Sequence, residues 1–551
     1  MKINKFLLSA GIAVAAMGFG ACTGDLDLLP ADPRDTTAAS FAEDPEAYLE
    51  ALAADVLFNY ATYGPNGDAI IHSFDGGMST WQRAIFIIEE IPTDEACWLP
   101  AADADYADFQ YGIVDATNKA ATGAYSRFMV NAALCVDFMR TINEGYFDGT
   151  PELAAKAKVY KDMAKALWGA SYYYLISNYG NVPYTDENTE IGSTPEQLTQ
   201  AEVYTRVVAE MEKLVADMTD ATPAYGYVGK DMAEAILMRL YLNAEAWTGK
   251  AEWSKCLAAA QNIIKRHQGT GFQGSGLVDN YSKLFTQQNQ RFAPGGSGVN
   301  EILWAIPQNM PNLTSWANST FMIDAWLGDV KDVTKGDWNS SNGWKCMVAR
   351  RQFVEVFDWT DDDMSQTADQ RVRFWATSAQ GFSVDNPDIG TQDLFGDNGY
   401  LPVKYANWLL KDDGTIDQAN SGPALEQFTI DYAMIRLAEV YLSAAEAILN
   451  GAGSQADALT YVNYVRTRAG LSAWTASQLT KESLQQERQR ELYTEGLRRT
   501  DLIRYNKWIS GYNWNWKNKV AEGADFNANF KLYPLPSAVC VQAGYTQNPG
   551  Y

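Results

Sequence analysis

Histidine is nearly absent from this 551-residue sequence, which has only His72 and His267. With no serine or cysteine nucleophile motif beside them, two histidines leave little for a hydrolytic triad. Cysteine is sparse as well: Cys22, Cys97, Cys135, Cys256, Cys346 and Cys540 lie far apart, with no CxxC or zinc-ligand spacing. Beyond Cys22, one or two disulfides and a set of buried free thiols both fit five scattered residues. Positive charge is in deficit, 43 Lys and Arg against 68 Asp and Glu, for a net charge of −25. So acidic a chain repels nucleic acid and anionic lipid, which excludes polyphosphate partners and leaves neutral ligands. Long apolar runs are missing past the N-terminus, so no later segment reads as a membrane span. What is plentiful is aromatic: 17 Trp and 30 Tyr. Rings in such excess over histidine favour stacking and hydrogen bonding over acid–base or metal chemistry.

The N-terminus carries an address. Lys2 and Lys5 precede an apolar run from Phe6 to about Phe19, too short to span a bilayer comfortably. Gly20-Ala21-Cys22 then supplies the small-small-Cys pattern of lipoprotein processing. Residues 1–21 are therefore expected to be a signal peptide, with Cys22 acylated and holding residues 22–551 at a membrane.

Two stretches read as helical. Tyr160, Ala164, Leu167, Ser171 and Tyr174 share one helical face, and so do Val203, Val207, Met211, Leu214 and Met218. Ala233, Leu237, Leu240 and Ala244 repeat the pattern, followed by Leu257, Ala260 and Ile264. Ile435, Ala438, Leu442, Ala445 and Leu449 predict a later helix, Leu459 to Ala469 its partner, and Leu484 to Leu497 a charged helix rich in Glu and Arg. The fold class is thus mainly α. Paired helices over about 120–267 and 428–510 form the scaffold, tetratricopeptide-like though without a strict 34-residue repeat. Residues of about 60–115 and 268–425, rich in Gly, Asn, Asp and Trp, are expected to form a large irregular ligand-binding region.

Late motifs carry a resemblance. Ala438-Glu439-Val440-Tyr441-Leu442-Ser443-Ala444-Ala445-Glu446-Ala447, Arg466 to Leu471, Glu487 to Gly496 with Arg498 to Arg504, Tyr533-Pro534-Leu535-Pro536 and Gln547 to Tyr551 resemble SusD-like (RagB/SusD) nutrient-binding lipoproteins. With the N-terminal pattern, these matches run from end to end. The resemblance implies a helix-pair scaffold carrying a glycan site, no enzymatic activity, and partnership with a SusC-like, TonB-dependent outer-membrane transporter. Asp25 and Asp27 resemble the acidic signal that sends such lipoproteins to the outer cell surface.

Starch-binding members of that family are the most similar. The segment from Arg83 to Trp98 is similar to one there that ends in a sugar-stacking tryptophan, and Arg83 matches an arginine that hydrogen-bonds hydroxyls. Trp344, in Asn342 to Cys346, resembles a second stacking tryptophan, and Trp316 falls at the place of a stacking tyrosine. Two positions depart: Pro100 replaces a tryptophan, and Asp103 stands where an asparagine helps bind hydroxyls. The chemistry is independent of the family. A pyranose offers an apolar C–H face to flat rings and a hydroxyl rim to planar donors such as Arg83. A curved α-1,4-glucan would lie along an arc of rings.

The alternatives are the same family role for another polysaccharide, a peptide binder or a purely structural lid. From a different class comes a glycoside hydrolase, which needs only two well-placed carboxylates. Asp94 and Glu95 are the nearest to the aromatic motifs, and a structural role suits them equally. No cofactor is called for. Asp361-Asp362-Asp363 offers oxygens of the kind calcium takes, without a complete ligand set.

Overall fold

The computed structural model describes residues 44–60, 80–100, 103–310, 312–313, 315–328, 333–357, 367–382 and 399–551. Cys22, Asp25, Asp27, His72 and Asp361 to Asp363 lie outside the described residues. The chain forms two compact units, Met1–Ala51 and Leu52–Tyr551. Helix α1 (Pro45–Leu57) begins in the first, and everything below concerns the second.

Three short elements, α2 (Trp81–Glu89), β1 (Ala96–Trp98) and α3 (Ala104–Tyr111), precede a run of five longer helices. Asn118 accepts the Ala121 N–H to start α4 (Lys119–Asn143). Thr150 accepts the Leu153 N–H to start α5 (Pro151–Tyr179), with Pro151 in its first turn. A reciprocal Thr199–Glu202 cap opens α6 (Gln200–Asp217). Helix α7 (Lys230–Thr248) ends at Gly249 in the left-handed region, and α8 (Trp253–His267) follows. Each of these helices packs on the next. The stripes expected from periodicity are buried, including Tyr160, Leu167, Tyr174, Val207, Met211, Leu237, Ala260 and Ile264. Gly169 adds a contact that periodicity did not mark: a Cβ there would sit 2.2 Å from Met211 Sδ, so an alanine on α5 would require the Met211 side chain on α6 to shift.

The middle of the chain holds only short pieces among the described residues: β2 (Ile302–Ile306), α9 (Asn318–Asp324), β3 (Met347–Ala349) and α10 (Arg351–Val354), joined by turns. Strand β4 (Tyr432–Arg436) pairs antiparallel with β2, placing Arg436 opposite Ile302, and β1 pairs antiparallel with β3. Helices α11 (Leu437–Ala447), α12 (Gln455–Arg468), α13 (Lys481–Leu492), α14 (Arg498–Arg504) and α15 (Ser537–Ala543) complete a mainly helical fold. All of α11 is buried; it packs on α8, α12 and α13 and so joins the two helical blocks.

Two boundaries differ from the periodic reading. Ile435 belongs to β4 rather than to a helix, because a fully buried apolar run lacks a diagnostic period. The Leu484–Leu497 helix stops at Leu492, and Thr494 and Gly496 take φ values of 62° and 74°. Buried carboxylates hold the break open. Glu95 accepts the Thr494 N–H at 3.0 Å, and Glu90 accepts those of Gly496 and Leu497.

Helix α13 faces the interior with charge. Glu491 accepts hydrogen bonds from Arg436 at 2.8 Å and Arg468 at 2.5 Å, and Glu487 from Arg371 at 2.8 Å, Arg466 at 2.5 Å and Arg490 at 3.0 Å. Glu301, at the foot of β2, pairs with Arg468 and Arg436, and Glu495 pairs with Arg436 and Lys404. Burial pushes the Glu487 carboxyl up, but Arg371, Arg490 and Arg466 outweigh it and hold it at about 2. Asp501 is likewise about 2, burial being overcome by Arg488 and Arg504.

Removing one anion strands buried guanidinium groups. Glu491→Gln is therefore expected to destabilise the fold by about 3–5 kcal/mol, read as a lower urea midpoint; an unchanged midpoint would refute the role given to Glu491. Acid acts on the paired carboxyls of Glu487 and Asp501. Carboxyls near 2 in the fold and about 4 when unfolded stabilise fully above pH ~4, and that contribution drains away as pH falls toward 2. Unfolding midpoints should drop steeply across that window, and flat midpoints there would contradict the pairing.

Candidate functional site

Three segments far apart in sequence converge through backbone hydrogen bonds. In the β1–β3 pair Trp98 stands opposite Met347, and the Leu99 N–H donates to the Cys346 carbonyl at 2.8 Å. The stretch before β3 is zipped to the end of α9. Trp344, Lys345 and Cys346 donate to the carbonyls of Asp324, Leu327 and Ala325 at 2.6, 2.6 and 2.7 Å. Only glycine fits at residue 343, where a Cβ would lie 2.7 Å from the Leu327 oxygen. Helix α9 follows Trp316 and carries Phe321.

The outcome is a continuous aromatic cluster. Ring centroids of Trp316 and Trp344 are 6.1 Å apart, with planes inclined by 48°. Trp344 meets Phe321 at 6.4 Å, Phe321 lies nearly parallel to Trp98 at 6.4 Å, and Trp98 meets Tyr106 at 4.7 Å. The Arg83 guanidinium carbon sits 4.8 Å from the centre of the Phe321 ring and 5.8 Å from that of Tyr106. Arg83 Nε is buried without a hydrogen-bond partner.

Exposure divides the expected residues. Trp316 is 37% exposed, and Trp344 and Arg83 are half-buried. Trp98, expected to offer a sugar-stacking face, is 2% exposed, so its ring is covered by its neighbours in this structure. Tyr106 and Phe321 flank its ring, strand pairing fixes its backbone, and the Gln110 side chain bonds its N–H and carbonyl, each at 3.0 Å. Trp98 therefore supports the cluster from below. Asp103 is exposed just before α3 and within electrostatic reach of Cys346. Burial pushes the Cys346 thiol up to about 12; Arg83 lowers it and Asp103 raises it. Sequence reasoning missed Phe321 and Tyr106, whose only signal was aromatic character inside ordinary buried patterns.

The acidic pair near these motifs is turned to another use. Asp94 is buried in a two-point pair with Arg498, 2.7 Å at each contact, and accepts from Tyr512 at 2.8 Å. Glu95 is buried and pushed up to about 7 by desolvation, with Arg498 opposing that rise and Asp94 adding to it. Among the described residues no group of three or more His, Cys, Asp or Glu is placed to hold a metal ion. Cys97, Cys135, Cys256, Cys346 and Cys540 are all free thiols, and His267 pairs with Asp231 at 2.9 Å.

Asp324, at the end of α9, fastens the loop that presents Trp344. Its carboxyl accepts from Ser340 Oγ at 3.3 Å and Asn342 Nδ2 at 3.1 Å. Burial raises its pKa to about 8; Ser340, Asn342 and Lys335 lower it, and Glu426 raises it. A folded value far above the unfolded ~3.9 favours the neutral form, so this contribution is full below pH ~4 and lost as pH rises through 8. Replacing Asp324 by Asn should thus cost stability at pH 5 and progressively less by pH 9. Urea midpoints of the two proteins running parallel across that range would refute it.

Residues 300–551 match the SusD family model. Over its full length the chain is 26% identical to the starch-binding protein SusD of Bacteroides thetaiotaomicron, covering 99% of that protein. It is 24% identical to SusD-like protein P2 of Formosa agariphila, over 69% of this chain and 72% of that one. Among solved structures it superposes on the surface glycan-binding protein A of Bacteroides fluxus with a TM-score of 0.67 at 18% identity, covering 92% of this chain and 99% of that one. The corresponding protein of B. thetaiotaomicron, in complex with laminarihexaose, gives 0.64 at 18% identity, covering 91% and 99%. No helix among the described residues is long and apolar enough to cross a membrane. The family model over residues 300–551, the full-length relative and the shared fold agree in what the chain is similar to: SusD proteins, in sequence and in fold.

Proposed function

We propose that this protein is a cell-surface lipoprotein that captures starch or a related α-1,4-glucan and passes it to a SusC-like, TonB-dependent transporter. The observation that carries the reading is the Trp316–Trp344 pair, two accessible rings inclined by 48°. Rings set at an angle offer successive faces to a chain that bends, as an α-1,4-glucan does, whereas a flat ribbon would meet only one. Arg83 sits half-buried against the Phe321 ring, and its guanidinium is the kind of planar donor that suits a hydroxyl rim. Asp103 supplies an exposed acceptor at the edge. The starch-binding relative supports the ligand class at 26% identity, and the acidic net charge supports a neutral one.

Anchoring through Cys22 rests on the signal-like N-terminus and the family, and so does the transporter partnership. The acidic pair beside the aromatic motifs does not favour hydrolysis. Asp94 and Glu95 are both buried, one held by Arg498 and the other by the Thr494 N–H, so neither flanks an accessible bond.

Each exposed ring is worth about 1 kcal/mol, so Trp316→Ala with Trp344→Ala should weaken starch binding about thirtyfold. Native gels containing starch read this as lost retention. Unchanged retention of the folded double variant would refute the surface, and retention in laminarin but not starch gels would refute the α-glucan assignment.

A further inference from the structure

Two carboxyls near the end of α2 converge on one turn. Glu95 accepts the Thr494 N–H at 3.0 Å, and Glu90 accepts those of Gly496 at 2.5 Å and Leu497 at 3.1 Å. Both side chains are buried. The turn they hold is strained, since Thr494 is β-branched and sits at φ 62°.

The two carboxyls also lie within hydrogen-bonding reach of each other. Ionised carboxylates only accept, so a hydrogen bond between them requires a proton. Glu90 Oε2 is buried and receives no N–H or O–H from the rest of the chain, which leaves it for such a proton.

Among the described residues, the charged and titratable groups around the pair are committed elsewhere. Arg498, on α14, makes its two-point contact with Asp94, and Arg499 lies 3.7 Å from Glu89. Arg350, just after β3, donates to the Thr93 and Ala96 carbonyls. Glu495, within the turn, is paired with Arg436 and Lys404. Tyr432, from β4, donates to the Thr494 carbonyl, and Tyr512 donates to Asp94. Two carboxylates this close in a desolvated place resist ionising together. Burial, and then Glu95, lifts the Glu90 carboxyl well above its ordinary value. Burial lifts Glu95 to about 7, with Arg498 opposing and Asp94 adding.

We propose that the Glu90–Glu95 pair keeps bound protons at neutral pH and acts as a pH-sensitive latch on the turn after α13, tight in mild acid and loosening as pH rises past neutrality. Both carboxyls titrate above the ~4.3 of an exposed glutamate. The stability they contribute is therefore full below pH ~4 and is lost as pH rises through 7.

The test needs no glycan, so it stands apart from the proposed function. Glu95→Gln fixes one member in a neutral, hydrogen-bonding form. Between pH 5 and 7 the folding constant of the unsubstituted protein should fall about tenfold per pH unit relative to that variant, read from urea midpoints. Exchange protection of the Thr494, Gly496 and Leu497 amides should fall from pH 6 to 8.5 in the unsubstituted protein and hold level in Glu95→Gln. The infrared band of protonated carboxyls at pH 7 should lose intensity in the Glu90→Gln, Glu95→Gln protein. Parallel urea profiles, pH-independent protection of the turn or an unchanged band would each overturn the proposal. So would failure of both single variants to fold at pH 5, because an amide stands in for the protonated carboxyl.

Discussion

Everything in the fold leans on carboxylates and guanidinium groups removed from water around α13. Taking such ions inside is expensive, and their attraction offsets the cost only where geometry and hydrogen bonding are complete. Here Glu301, Glu487, Glu491 and Glu495 meet cations from β4, α12 and the segments around residues 371 and 404. These pieces come from the irregular middle of the chain and from the strand and helices that follow it. An apolar core of equal size would tolerate sliding; a network of paired charges has one arrangement in which no ion is stranded. Its contribution is to register, which a long loop-rich chain needs more than it needs extra stability.

That register propagates to the surface. Asp94 is held by Arg498, and Glu90 and Glu95 hold the turn after α13, so residues 90–95 are tied to the charged centre. The next residues form β1, which pairs with β3, and the stretch leading into β3 is zipped to α9. Arg350, just after β3, returns to the same place by donating to the carbonyls of Thr93 and Ala96 at 3.0 Å each. Trp344 and Phe321 are thus located by hydrogen bonds that begin at buried charges.

The helical scaffold was legible because its cores are apolar and periodic: Val203, Val207, Met211 and Leu214 face inward on α6 as their spacing requires. Helix α13 was not. Glu487, Arg488, Arg490 and Glu491 look like a solvated face, yet all are buried, because pairing does the work that hydrophobicity does elsewhere. Periodicity cannot see partners contributed by other segments, and it could not see the carboxylates that end the helix at Leu492. The site was half legible for a related reason. Motif resemblance located Arg83, Trp98, Trp316 and Trp344 in sequence and the fold gathers them, but which ring meets solvent depends on Tyr106 and Phe321, which carried no distinguishing pattern.

Burial of Trp98 also sharpens how a surface with two accessible rings among the described residues could work. Loose tryptophans would spend part of each stacking contact on being ordered, at about 0.5–1.5 kcal/mol per mobile side chain. The Trp344 backbone is bonded to α9, Gly343 lets the two strands of chain touch, and Asp324 ties the loop from beneath. Phe321 and Trp98 back the rings in turn. The ordering is completed on folding, so a weak contact at Trp344 keeps most of its value when a ligand arrives. Rigidity beneath a shallow surface substitutes for depth, and that rigidity is what the buried half of the aromatic cluster supplies.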